Sequence, residues 1–181
     1  PCGFWGPFSP LHEGRQAPGI QTPQRQAMFI AQLAHESGGF RYMEEIASGA
    51  AYEGRADLGN TQPGDGRRFK GRGPIQLTGR ANYAAFTAWA RSMDPRAPDF
   101  VADPDAVLTD PWEGLAPIWF WDRGDLNRYA DQGDFLTVTR RINGGTNGLA
   151  DRERRYVQAA LVLLGYSPRE VRRFQTAPET P

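Results

Sequence analysis

Apolar side chains recur at Ala27, Ile30, Ala31 and Ala34, the i, i+3, i+4, i+7 spacing of one helix face. Thr22-Pro23 ahead of them supplies an N-cap and a proline at the first helical position, and Gly38-Gly39 ends the run. Further helices are predicted from about Arg80 to Met93 and from Asp110-Pro111-Trp112-Glu113 into Ile118-Trp119-Phe120-Trp121. In the latter, Asp110 reads as N-cap, Pro111 as N1 and Glu113 as N3. Phe135, Val138 and Ile142 mark another helix, stopped at Asn143-Gly144-Gly145. Val157, Ala160, Leu161 and Leu164 mark a last amphipathic helix, closed by Gly165 and Pro168.

Between these helices the pattern changes. Residues 47–73 are glycine-rich with few apolar positions and read as a long loop or hairpin. Residues 94–110, rich in Pro and Asp, read as a connection. Residues 1–21 form an irregular arm, and the tail over 175–181 is expected to fray. With no internal repeat and no second domain boundary, 22–174 reads as a single domain, mainly α with a small irregular β element near 47–75.

A chain of 181 residues allows one sizeable core. Lys plus Arg and Asp plus Glu are equal at 21 each, which gives no bulk attraction to nucleic acid or an anionic membrane. Cys2 alone excludes an intrachain disulfide. Thiol catalysis would have to rest on it, far in sequence from either His12 or His35. No apolar run reaches the ~20 residues of a membrane span. No signal-peptide pattern is visible, but the sequence starts at Pro1 and not Met, so this says nothing about export. No His/Cys/carboxylate cluster has metal-site spacing and no phosphate-binding glycine loop occurs, so no metal or cofactor is expected.

Candidate chemistry centres on His35-Glu36-Ser37-Gly38-Gly39. Glu36 sits in the last helical turn, where the dipole disfavours negative charge and so favours the protonated form a general acid needs. Glu44-Glu45 lies beyond the turn; adjacent side chains point different ways, and the residues alone leave open which faces a cleft. Two carboxylates flanking a cleft are what glycosidic bond cleavage requires. In Gly71-Arg72-Gly73-Pro74-Ile75-Gln76-Leu77-Thr78, Gln76 and Thr78 alternate with Ile75 and Leu77, as on an extended two-faced segment whose polar side can bind sugar hydroxyls or water. Trp119 and Trp121 read as core and His35 as a hydrogen-bonded structural histidine.

Taken in order, Ala34–Gly39, Tyr42–Glu45, Gly71–Thr78 with Asn82-Tyr83, Trp119-Phe120-Trp121, Ile142–Gly145 and Ala150-Asp151-Arg152 resemble glycoside hydrolase family 19 over roughly residues 25–165. That family holds plant-type and bacterial chitinases and many phage and prophage endolysins. The resemblance implies a lysozyme-like α+β fold, two-lobed and mainly helical, with a deep substrate cleft, and single-displacement, inverting hydrolysis. It implies Glu36 as general acid, Glu45, nine residues on, as general base, and Thr78 as a holder of the attacking water. His35, Tyr52, Gln76, Asn82 and Asn143 match substrate-binding positions, and Arg152 an arginine that orients the base. Inversion calls for carboxyl groups roughly 6.5–9.5 Å apart.

Several positions depart from the chitinase pattern. Asn147 stands where many chitinases carry a Glu that partners the arginine, and Ala81 where an aromatic is common. The paired cysteines are absent, and the loop before Gly71 reads Tyr52-Glu53-Gly54-Arg55-Ala56-Asp57-Leu58-Gly59-Asn60, as in phage and prophage members. These departures favour an endo-acting peptidoglycan hydrolase, with a chitinase as the first alternative and an inactive carbohydrate-binding relative as the second. The expected partner is a polysaccharide met at the cell wall by a monomer, after release from the cytoplasm or secretion, without nucleic acid or membrane insertion.

Overall fold

The computed structural model describes residues 19–167 and Arg169. Most of the predicted arm, Cys2, His12, Pro168 and the 175–181 tail lie outside the described residues. Seven α-helices are described: α1 (Pro23–Glu36), α2 (Asp65–Arg68), α3 (Arg80–Met93), α4 (Trp112–Arg123), α5 (Leu126–Asp131), α6 (Phe135–Asn143) and α7 (Leu149–Leu163). Strand pairing among the described residues is reduced to two isolated antiparallel bridges, Glu44 with Arg72 and Arg72 with Leu77. The fold is therefore mainly helical, as the spacing predicts. The β element expected near 47–75 shrinks to those bridges, and 3-10 turns at Ala50–Tyr52 and Ala56–Leu58 replace the hairpin. Side chains explain this: Asn60 and Glu53 bond the loop's own backbone, which competes with ladder pairing.

The described chain divides into two compact units, Gly19 with Tyr42–Phe120 and Ile20–Arg41 with the residues from Trp121 onward. One division falls inside α4, so no linker composition announces it.

In the first unit, α3 turns Tyr83, Phe86, Thr87 and Ala90 inward. Phe86 stacks on Phe100 at 4.8 Å between ring centroids and meets Trp119 at 5.4 Å. Trp119 is 4% exposed, so its predicted core role is what the structure gives. Rings in such contact add about 1 kcal/mol beyond their buried area. Pro111 does not occupy the first helical position: α4 begins at Trp112, after a cis Asp110–Pro111 peptide. Nor is 71–78 an extended two-faced segment. Residues 73–76 form a turn closed by paired bonds between Arg72 and Leu77 (N···O 3.1 and 2.8 Å), with Gln76 at φ 55°.

In the second unit, Thr22 caps α1 by accepting from the Arg25 N–H at 3.2 Å. The buried face of α1 is Ala27, Met28, Phe29, Ala31, Gln32, Leu33 and Ala34, whereas Ile30 is exposed. Trp121 is buried edge-on against Phe29 and donates its indole N–H to Asn127 at 2.9 Å. On α7 the predicted apolar face is only half-covered: Ala160 and Leu161 are half-buried, Val157 and the C-cap Leu164 are exposed, and Arg152 is buried in the first turn.

Candidate active site

The first unit contains Glu44, Glu45 and Glu53, and their partners differ. Glu44 is half exposed and pairs with Lys70 Nζ at 3.0 Å. Glu53 is spent on the loop, accepting from the N–H groups of Gly64 (2.6 Å) and Gly66 (2.8 Å). Glu45 is partly buried; Oε1 accepts from the Tyr52 hydroxyl at 3.0 Å and Oε2 from Gly71 N–H at 2.9 Å. Its own N–H bonds Gly71 O at 2.9 Å, so the two residues grip each other twice. Both partners of the carboxylate are donors, an arrangement that suits an ionised acceptor and leaves each oxygen a further lone pair. Tyr52, matched by resemblance to a substrate contact, is thus turned to Glu45. Burial, seconded by the Glu45 bond, raises the Tyr52 phenol above its ordinary range, so it stays a donor at neutral pH.

The turn at 73–76 presents the polar residues that follow. Gln76 Nε2 donates to Gly73 O at 3.0 Å, and a Cβ at Gly71 would lie 2.7 Å from Gln76 Oε1, so a larger residue there would displace the Gln76 side chain. Thr78 donates its hydroxyl to Gln76 O at 2.8 Å, which leaves the oxygen free to accept. Asn82, in the first turn of α3, donates to Thr78 O at 2.8 Å.

The second unit contains Glu36, the last residue of α1, with its side chain 21% exposed. Arg152 Nη2 donates to Glu36 Oε1. Arg152, expected to orient the general base, therefore holds the expected acid in this structure. Its side chain is only 2% exposed, and its guanidinium is oriented by two more acceptors, Gln32 Oε1 at 2.6 Å and Asn147 O at 3.1 Å. Asn147 thus serves the arginine through its backbone carbonyl. Gln32 is fixed in turn by donating to Thr139 Oγ1 at 2.9 Å. The sequence reading missed Gln32, although a polar residue one turn before Glu36 on an apolar face was the visible signal.

His35 and Asn143 are engaged locally. His35 Nδ1 lies 2.7 Å from Asp151 Oδ2, and its ring packs so close to Gly148 that a Cβ there would sit 2.1 Å from Cε1. Asp151 also accepts from Arg155 (2.7 Å) and Arg154. The Arg155 bond, aided by His35, holds the Asp151 carboxyl well below the usual range. Asn143 ends α6 and ties the following turn, accepting from Gly145 N–H (2.8 Å) and donating to Asn147 O (3.0 Å). Among the described residues no group of three or more His, Cys, Asp and Glu could hold a metal ion, and no helix is long and apolar enough to cross a membrane.

The family model described as Chitinase class I matches residues 21–134. A glycosyl hydrolase family 19 domain-containing protein of Haemophilus influenzae is 31% identical over 86% of this chain and 88% of its own length. An Arabidopsis thaliana endochitinase is 38% identical over 70% of this chain but only 42% of its own, so the chain spans less than half of that relative. Chitinase C from Streptomyces griseus superposes with a TM-score of 0.61 at 25% identity, over 80% of this chain and 74% of that one. A bacterial family 19 chitinase gives 0.62 at 24% identity, over 87% and 80%, and so shares the fold.

Proposed function

The chain belongs to the chitinase class I family, glycoside hydrolase family 19, and on that premise we propose that it is an inverting endo-glycosidase cutting β-1,4 bonds beside N-acetylated amino sugars. The observation that carries the reading is the contrast between its two carboxylates. Glu45 is gripped on both oxygens by donors, whereas Arg152 holds Glu36 through Oε1 alone.

The family resemblance assigns the roles. Glu36 gives a proton from Oε2 to the glycosidic oxygen as the bond to the anomeric carbon breaks. A water attacks that carbon from the opposite face, and Glu45 takes its proton. Glu36 ends as an anion beside the Arg152 guanidinium, which stabilises the charge it has gained. Thr78 accepts a hydrogen bond from the attacking water, and Gln76 and Asn82 bind sugar. His35 and Asn143 serve this site by holding its backbone, their side chains being committed to Asp151 and to the 144–147 turn.

The polymer we propose is bacterial peptidoglycan. The 52–60 loop supports it, since its sequence resembles that of phage and prophage members and it is held by hydrogen bonds from Asn60 and to Glu53. A second reading, chitin, is favoured by the endochitinase names of several relatives. Purified sacculi and chitin tested side by side decide between them. Clearing of sacculi with release of new reducing sugar is the expected result; cleavage of chitin alone overturns the peptidoglycan reading.

A further inference from the structure

Tyr52 reaches Glu45 across six intervening residues, and the loop is built to keep it there. The Tyr52 carbonyl accepts from Asn60 Nδ2 at 2.9 Å, and Asn60 Oδ1 accepts from the first N–H of α3, that of Arg80, at 2.8 Å. Asn60 is fully buried. Helix α3 lacks a side-chain cap from Gly79, so the same amide both caps the helix and anchors the tyrosine. Arg80 extends the tie by gripping buried Asp65 through Nε (2.9 Å) and Nη2 (2.5 Å). The chain from α3 through Asn60 to the Tyr52 hydroxyl is thus continuous and ends on one oxygen of Glu45.

We propose that Tyr52 is a positioning residue for the general base, its hydroxyl fixing Glu45 Oε1 so that the carboxylate faces the attacking water. The proposal rests on the reading of Glu45 as base. It departs from the substrate-contact role that family resemblance gives this tyrosine. A carboxylate held only by Gly71 N–H can swing about its remaining torsions, and a misplacement of about 1 Å costs up to ~100-fold in rate. A tyrosine that only touches sugar affects binding instead. The two roles separate in the partition between kcat and KM.

Tyr52→Phe keeps the ring and removes the hydroxyl. It is assayed beside Glu45→Gln on whichever soluble glycan the wild-type enzyme turns over, solubilised peptidoglycan strands or an N-acetylglucosamine hexamer. We expect kcat to fall about 10-fold or more, with KM within about 2-fold and an unchanged melting temperature. In a Glu36→Gln background, where glycan binds without being cut, adding Tyr52→Phe should leave the Kd unchanged. A raised KM at unchanged kcat, or weaker binding in that background, overturns the positioning role in favour of a sugar contact. Wild-type kinetics for Tyr52→Phe with an inactive Glu45→Gln overturns this proposal alone. An active Glu45→Gln overturns the reading beneath it.

Discussion

Glu44, Glu45 and Glu53 carry the same carboxyl group, and their partners give them different work. Lys70 takes Glu44, the Gly64 and Gly66 amides take Glu53, and a phenol and an amide take Glu45. Glu45→Gln should therefore abolish turnover. Glu53→Gln should lower the melting temperature, because a Gln side chain offers one acceptor to two amides, and leave kcat near wild type. Loss of turnover in Glu53→Gln with activity kept in Glu45→Gln would reverse the assignment. At Gly148 the backbone has φ 69° and the His35 ring fills the space a Cβ would need. Gly148→Ala should cost about 2 kcal/mol or more, from overpacking and left-handed strain together. Urea unfolding measures it, and a loss below about 0.5 kcal/mol would mean that His35 moves aside freely.

At the scale of elements, the sequence located α1, α3, α6 and the C-terminal end of α7, whose start at Leu149 it did not mark. What the sequence hid is where polar side chains go over distance. Nothing in sequence joins Tyr52, Asn60 and Asp65: Asn60 bonds both Tyr52 and the Arg80 N–H, and Asp65, at the start of α2, pairs with the Arg80 side chain fifteen residues on. Arg152 lies 116 positions from Glu36, and periodicity is blind to such separation. The outward turn of Ile30 and the half-covered face of α7 have a simpler cause. A stripe records which residues share a face, and neighbours decide whether that face is covered. Asp65 is 2% exposed and Arg80 is its ion partner. Removing one member of a buried pair costs about 3–5 kcal/mol. Arg80→Met should therefore destabilise the protein by about 3 kcal/mol, measured by urea unfolding, while the bond from the residue-80 backbone N–H to Asn60 Oδ1 is kept. Unfolding unchanged by the substitution would show that the pair does not hold the loop.

Over the whole molecule, charge sets a pH window of stability. The Asp151 carboxyl is depressed by Arg155 and His35, and that of Asp65 by Arg80. Each contributes stability above the ordinary aspartate value of about 4, lost as pH falls through the folded value. Burial pushes the Tyr83 phenol up to about 12. Its contribution is present below the ordinary tyrosine value of about 10 and is lost as pH rises towards 12. Urea midpoints should therefore be flat between about pH 5 and 9 and fall on both sides. Asp151→Asn should lower the neutral plateau and soften the acid limb; an acid limb identical to wild type would remove Asp151 from the account. The family and its mainly helical fold were legible because ordered motifs survive in sequence; two lobes were implied by the resemblance alone, and where the chain passes from one unit to the other was not legible, because one crossing falls inside a helix.

The central claim is a single displacement, with Glu36 giving a proton and Glu45 activating water. Proton NMR of the first-formed product tests it most directly, read before mutarotation equilibrates the new reducing end. Cleavage of a β-linked glycan should yield the α-anomer first. A β-anomer appearing first would mean retention through a covalent intermediate and would contradict the assignment of Glu45 as base.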